Sequence, residues 1–132
     1  MQFVRSLFLW VVPQKNVACP SVGEFYCSMR LGGCWEAVGP AGDMFKSLSR
    51  DIQELLADWE APEDGIVGWS IYMIGPTQRS ARPTLLIYGQ STVSRKSVRN
   101  LIEASKILQH YPRVGLDDCC HAPDRSHVLP LE

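Results

Sequence analysis

The sequence predicts an α+β fold: a small, mainly antiparallel sheet packed by two amphipathic helices, within one domain spanning residues 1–132. Three observations predict it. Apolar residues recur at three- and four-residue steps over about 43–59 and 93–110, as on helices that bury one side. Between these stretches lie two runs rich in β-branched and aromatic residues, 66–74 and 83–88. The eight residues that join the two runs suit a long hairpin and are too few for a helical crossover between parallel strands.

Residues 1–42 are the least regular part. Leu7 to Val12 is apolar and contains Trp10, Val11 and Val12, which suits a buried strand or a short helix. Behind Arg5 it has the outline of an export signal, but the apolar stretch is barely six residues and Pro13 breaks it early. It is therefore read as part of the fold. Glu24 to Met29 is a second strand candidate, and Gly32-Gly33 offers a hairpin turn between 25–30 and 34–38. Val38-Gly-Pro-Ala-Gly42 reads as turn punctuation.

Asp43 is placed to cap the first helix, whose stripe is Phe45, Leu48, Ile52, Leu55, Leu56 and Trp59. Ala61-Pro62 and Gly65 end it. In the first strand Val67, Trp69, Ile71 and Met73 alternate with Gly68, Ser70, Tyr72 and Ile74. The second is almost continuously apolar, as expected of an interior strand covered on both faces. Gly89-Gln-Ser-Thr92 then supplies hydroxyl caps for the second helix, with Val98, Leu101, Ile102, Ser105 and Leu108 on its inner side and Ile107 at the margin. Pro112 and Gly115 close it, and 116–132 is expected to be a tail of polar turns that packs back on the body or meets a partner.

Composition narrows the function classes. A hydrophobic fraction of 45% and a charged fraction of 20% describe an ordinary folded domain, and a net charge of -1 argues against a general nucleic-acid binder. No apolar run reaches the roughly 18–20 residues that span a bilayer. Five cysteines, an odd number, without a convincing export signal favour reduced thiols in a cytoplasmic or nuclear protein over a secreted one. No cofactor motif is present, and neither GxxxxGK[ST] nor GxGxxG occurs.

Trp69-Ser-Ile-Tyr-Met-Ile-Gly75, Ala81-Arg-Pro-Thr84, Arg95-Lys96 with Val98-Arg99, Tyr111-Pro112 and Gly115-Leu116 together resemble a pattern in uncharacterised proteins of filamentous fungi. The likeness covers roughly residues 66–118. It implies a fungal, intracellular origin and brings no catalytic residue with it.

Charge is unevenly spread. Residues 36–64 hold eight acids and two bases, whereas 75–113 hold seven bases and one acid. Opposed segments of this kind either are solvated faces or meet, within one molecule or between copies. A non-enzymatic interaction or regulatory domain, probing a protein partner or a second copy of itself, is the function this favours. The alternative is a small enzyme or an anion-binding protein. Its site would be the strand-to-helix junction, where Gln90, Ser91 and Thr92 offer amides and hydroxyls at a helix start while Arg82, Arg95 and Arg99 add positive charge. Ordinary helix capping explains the same hydroxyls. Cys119, Cys120, His121 and His127, joined by Cys19, Cys27 or Cys34, have the donor types for zinc, although adjacent cysteines hardly present both sulfurs to one tetrahedral ion. A cysteine nucleophile needs a base in reach, and Cys120 with His127 or Cys34 with His121 are the pairs to consider.

Overall fold

The computed structural model describes residues 21–30, 32–62, 65–111 and 113–124. The apolar segment 7–12, with Cys19 and His127, lies outside them. The chain order is β1 (Val22–Met29), β2 (Gly32–Ala37), α1 (Gly39–Leu55), β3 (Gly68–Gly75), β4 (Arg82–Tyr88), α2 (Thr92–Ser105) and β5 (Gly115–Cys119). The five strands form a single sheet in sequence order, β1-β2-β3-β4-β5. Every neighbouring pair is antiparallel except β4 with β5, which is parallel.

The expected α+β architecture is thus present, with the two helices on one face of the sheet. Strand registers assign the faces. Trp69, Ile71 and Met73 of β3 stand beside Ile87, Leu85 and Pro83 of β4, and Leu116 and Asp118 of β5 continue those rows. On this side Ile71, Leu85 and Ile87 meet Leu48 and Ile52 of α1 and Val98 and Ile102 of α2 in the main core. The opposite face carries Cys34, Tyr72 and Leu86, with Cys27, Ile74 and Cys119 packed against them. Leu85, Leu86 and Ile87 are all fully buried, as an interior strand between two neighbours requires. The segment after β5 folds across this second face. Ala122 is buried there, and the Tyr72 hydroxyl donates to Asp124 Oδ1 at 2.9 Å.

Element bounds depart from expectation in three places. Helix α1 starts at Gly39 rather than at Asp43, because Pro40 sits in its first turn, where a missing N–H costs nothing. Val38 is its N-cap and supplies no side-chain bond; instead the Ala41 amide donates to Ser21 Oγ at 3.1 Å. The helix also ends at Leu55, so Trp59 lies beyond it and its indole N–H donates to Ser97 Oγ of α2 at 2.9 Å. Helix α2 ends at Ser105, since Lys106 takes a left-handed conformation (φ 61°), and a short 3-10 turn, Ile107–His110, follows. Tyr111 then anchors this corner to α1, its hydroxyl donating to Asp51 Oδ2 at 2.6 Å.

The third departure is β5. The stretch expected to begin a polar tail is the fifth strand. Gly115-Leu-Asp-Asp-Cys119 has little intrinsic strand character. It extends because β4 offers a full row of backbone partners, from Thr84 beside Gly115 to Tyr88 beside Cys119. The unit β4–α2–β5 is accordingly a parallel crossover; β2 and β3, though antiparallel, are likewise joined through a helix, α1, while β1–β2 and β3–β4 are hairpins.

Candidate functional site

Asp118 is where the fold gathers charge. It stands on the helix-side face of β5, beneath the first two turns of α2, and its side chain is only 4% exposed. Three cations surround it. Arg95 Nε donates to Oδ2 at 3.0 Å, Lys96 Nζ to Oδ1 at 3.1 Å and Arg99 Nη1 to Oδ1 at 2.7 Å. Burial pushes the Asp118 carboxyl up, but the bonds from Arg95, Lys96 and Arg99 outweigh it and hold the pKa at about 2. Asp117, on the other face, is mostly exposed; its Oδ1 accepts from the Asp118 amide at 2.8 Å and from Arg99 Nη1 at 3.4 Å.

Arg95 has a further duty. Its Nη1 donates to the Gly89 carbonyl at 2.7 Å and its Nη2 to Thr92 Oγ1 at 3.4 Å. One guanidinium thereby ties the end of β4, the start of α2 and β5 together. Ser91 is the N-cap of α2, accepting from the Ser94 amide at 3.0 Å. Of the hydroxyl pair at the junction, Ser91 therefore caps the helix and Thr92 accepts from Arg95, and the anion held by Arg95 is the chain's own Asp118.

The six residues read from the sequence as an anion site do not converge: Ser91 and Thr92 stay at the start of α2, and the other four go to three places. Arg95 and Arg99 come together, joined by Lys96 and by Arg30 from the end of β1, around a cavity of about 590 Å³ that Met29, Ile74, Asp117 and Asp118 complete. Gln90 instead lines a second hollow of about 400 Å³ at the carboxyl ends of β4 and β5, with Ile66, Tyr88, Cys120 and His121. Arg82 begins β4 whereas Gly89 follows its end, so roughly 20 Å of extended chain separates them. It does not converge on the junction. Lys96 belongs with Arg95 and Arg99 to the charge that the sequence places near this helix start. Arg30 was missed by sequence reasoning, because it follows β1, far from α2 along the chain.

The cysteine and histidine residues give no convergent ligand set. Cys119 Sγ donates to the His121 carbonyl at 3.0 Å, and Cys120 Sγ lies 3.2 Å from His121 Nδ1. Among the described residues no three histidine, cysteine or acidic side chains are disposed to hold a metal ion. Nor do the described residues include a helix long and apolar enough to cross a membrane. The charge opposition between the two halves of the chain also resolves locally, because Arg95, Lys96 and Arg99 pair with β5 rather than with α1.

No protein-family model, curated protein or solved structure matches this chain.

Proposed function

We propose that this chain is a non-enzymatic interaction domain that captures an acidic or phosphorylated side chain of a protein partner in its basic cavity. One observation carries the reading: Arg30, Arg95, Lys96 and Arg99 line that cavity against only Asp117 and Asp118. The surplus cations have donors to offer. Arg30 forms no ion pair among the described residues, and Lys96 is 53% exposed. Arg99 reaches both carboxylates through Nη1 alone, leaving the rest of its fork for a second anion. Met29 and Ile74 add an apolar wall for the residue beside the captured group. The reduced, intracellular setting read from the cysteines suits a partner switched by phosphorylation.

Inorganic phosphate is the simplest probe. Added at ionic strength held constant with chloride, it is expected to shift the backbone amide resonances of Met29, Arg30, Lys96 and Arg99 to saturation. Arg30→Ala, which disturbs no ion pair, should weaken binding about tenfold, the loss of one charge-assisted bond of about 1.5 kcal/mol. A phosphoserine peptide with an apolar neighbour should bind more tightly than phosphate. Shifts that never saturate, or that Arg30→Ala leaves unchanged, would overturn the reading.

Self-association is a second reading, favoured by the other end of the sheet. Phe25 is 49% exposed on β1, the terminal strand among the described residues, and meets Trp35 edge-on with ring centroids 5.6 Å apart. Trp35 packs inward on Ala41, Met73 and Ala81, whereas Phe25 stays open to solvent. Pairing of two copies through β1 would bury it. Light scattering should then give a mass that rises with protein concentration and falls in Phe25→Ser; a monomer at every concentration and salt level ends this reading.

A further inference from the structure

Cys27 and Cys34 face each other on neighbouring strands. They are direct partners in the antiparallel register of β1 with β2, and both are free thiols in the cluster on the sheet face away from the helices. Directly opposed residues of an antiparallel pair lie about 4.5 or about 5.5 Å apart at Cα, according to their place in the ladder. Either spacing falls within the roughly 4.4–6.8 Å that a disulfide requires. The Cys27 thiol is close enough to Cys34 to help raise its pKa. The two differ in access: Cys34 is fully buried and Cys27 is partly exposed.

We propose that Cys27 and Cys34 form a reversible cross-strand disulfide, a thiol modification site whose co-reactant is a low-molecular-weight disulfide such as oxidised glutathione. The exposed member reacts first. Cys27, as its thiolate, attacks one sulfur of the glutathione disulfide, the S–S bond breaks, and one glutathione leaves and takes up a proton. Cys34 then gives up its proton and attacks the Cys27 sulfur of the mixed disulfide, releasing the second glutathione. Two protein thiols are oxidised and one glutathione disulfide is reduced to two thiols, so electrons and protons balance. Burial pushes the Cys34 thiol up to about 12, with Cys27 and Cys119 as further contributors. The second step is therefore the slow one, and a mixed disulfide on Cys27 accumulates before it. In a reducing compartment the pair rests as two thiols and closes when the disulfide pool rises.

The test uses the folded full chain, oxidised glutathione, and digestion after Glu24, Arg30 and Glu36. These cuts leave residues 25–30 and 31–36 as separate peptides with one cysteine each, joined only if the bond has formed. The expected result is the joined pair, a loss of two titratable thiols, and a higher melting temperature that dithiothreitol reverses. Cys27→Ser, which spares the buried Cys34, should abolish the joined pair. The proposal is overturned if the 25–30 peptide is found linked to Cys19 or Cys119 instead. It is equally overturned if the 25–30 and 31–36 peptides are both alkylated after prolonged oxidation, or if the bond forms only in denaturant.

Discussion

Asp118→Asn is expected to destabilise the fold by about 3 kcal/mol. The substitution keeps the shape of the side chain and removes the charge that Arg95, Lys96 and Arg99 share, leaving three cations around a neutral amide. Breaking a buried ion pair from one side costs about 3–5 kcal/mol, because the partners stay desolvated and unpaired. The lower end applies here, since Lys96 is 53% exposed and Arg99 27%, so water recovers part of what they lose. Asp117→Asn is the control. Its carboxylate is 64% exposed and touches Arg99 only at 3.4 Å, so its loss should cost well under about 1 kcal/mol. Urea denaturation of both variants decides it; equal effects would mean that the cluster is held by solvated charge rather than by burial.

The same group sets an acid limb of stability. A carboxyl whose folded pKa is lowered, here from 3.8 to about 2, contributes stability that is fully present above its unfolded value. That contribution is lost as pH falls from about 4 through 2, and by the linkage relation it is worth about 2 kcal/mol. Asp118→Asn should flatten this part of the acid limb, since the neutral amide has no proton to gain.

How far the fold was legible in the sequence follows from what each signal measures. Periodicity reported the stripes of both helices and the two central strands, because Leu48, Ile52, Ile71, Leu85, Val98 and Ile102 are buried by local pattern as well as by tertiary contact. The β1–β2 hairpin was legible too, although Gly32 and Gly33 open β2 beside Met29 and Ser28 and the turn lies before them rather than on them. Strand β5 was not. Asp117-Asp118 reads as solvated surface until α2 lies over it with Arg95, Lys96 and Arg99, and no window of the sequence holds both halves of that arrangement. The start of α1 was obscured because Gly39-Pro40 serves a turn and a helix start equally well, and only Ser21 Oγ, eighteen or more residues upstream, favours the helix by accepting from Ala41. For the candidate site, Arg95 and Arg99 were visible as charge near a helix start. That the charge is already answered by a carboxylate on the next strand, and that Arg30 adds to it from the end of β1, are facts of tertiary structure between residues far apart in the chain.

The hairpin that bears Arg30 and Cys27 depends on a single backbone position. Gly32 has φ 148°, a conformation that side chains rarely adopt. A Cβ placed there would also lie 2.1 Å from the Gly75 carbonyl oxygen and 2.6 Å from the Pro76 Cα. Both obstacles are backbone, held by the ladder between β2 and β3 in which Gly33 stands beside Gly75. Neither can turn aside as a side chain would. Gly32→Ala is therefore expected to cost about 3 kcal/mol or more, combining about 1–3 kcal/mol of local strain with loss of the register at that end of the sheet. Gly65→Ala separates the two causes. Gly65 also has a positive φ, 124°, yet nothing lies within 4 Å of the Cβ it would gain. It should pay only the strain, about 1 kcal/mol. Thermal melts of the two variants should thus differ by several degrees, with Gly32→Ala lower. Equal losses would show that conformation alone governs Gly32, and that the approach of Gly75 is relieved by sliding of β3.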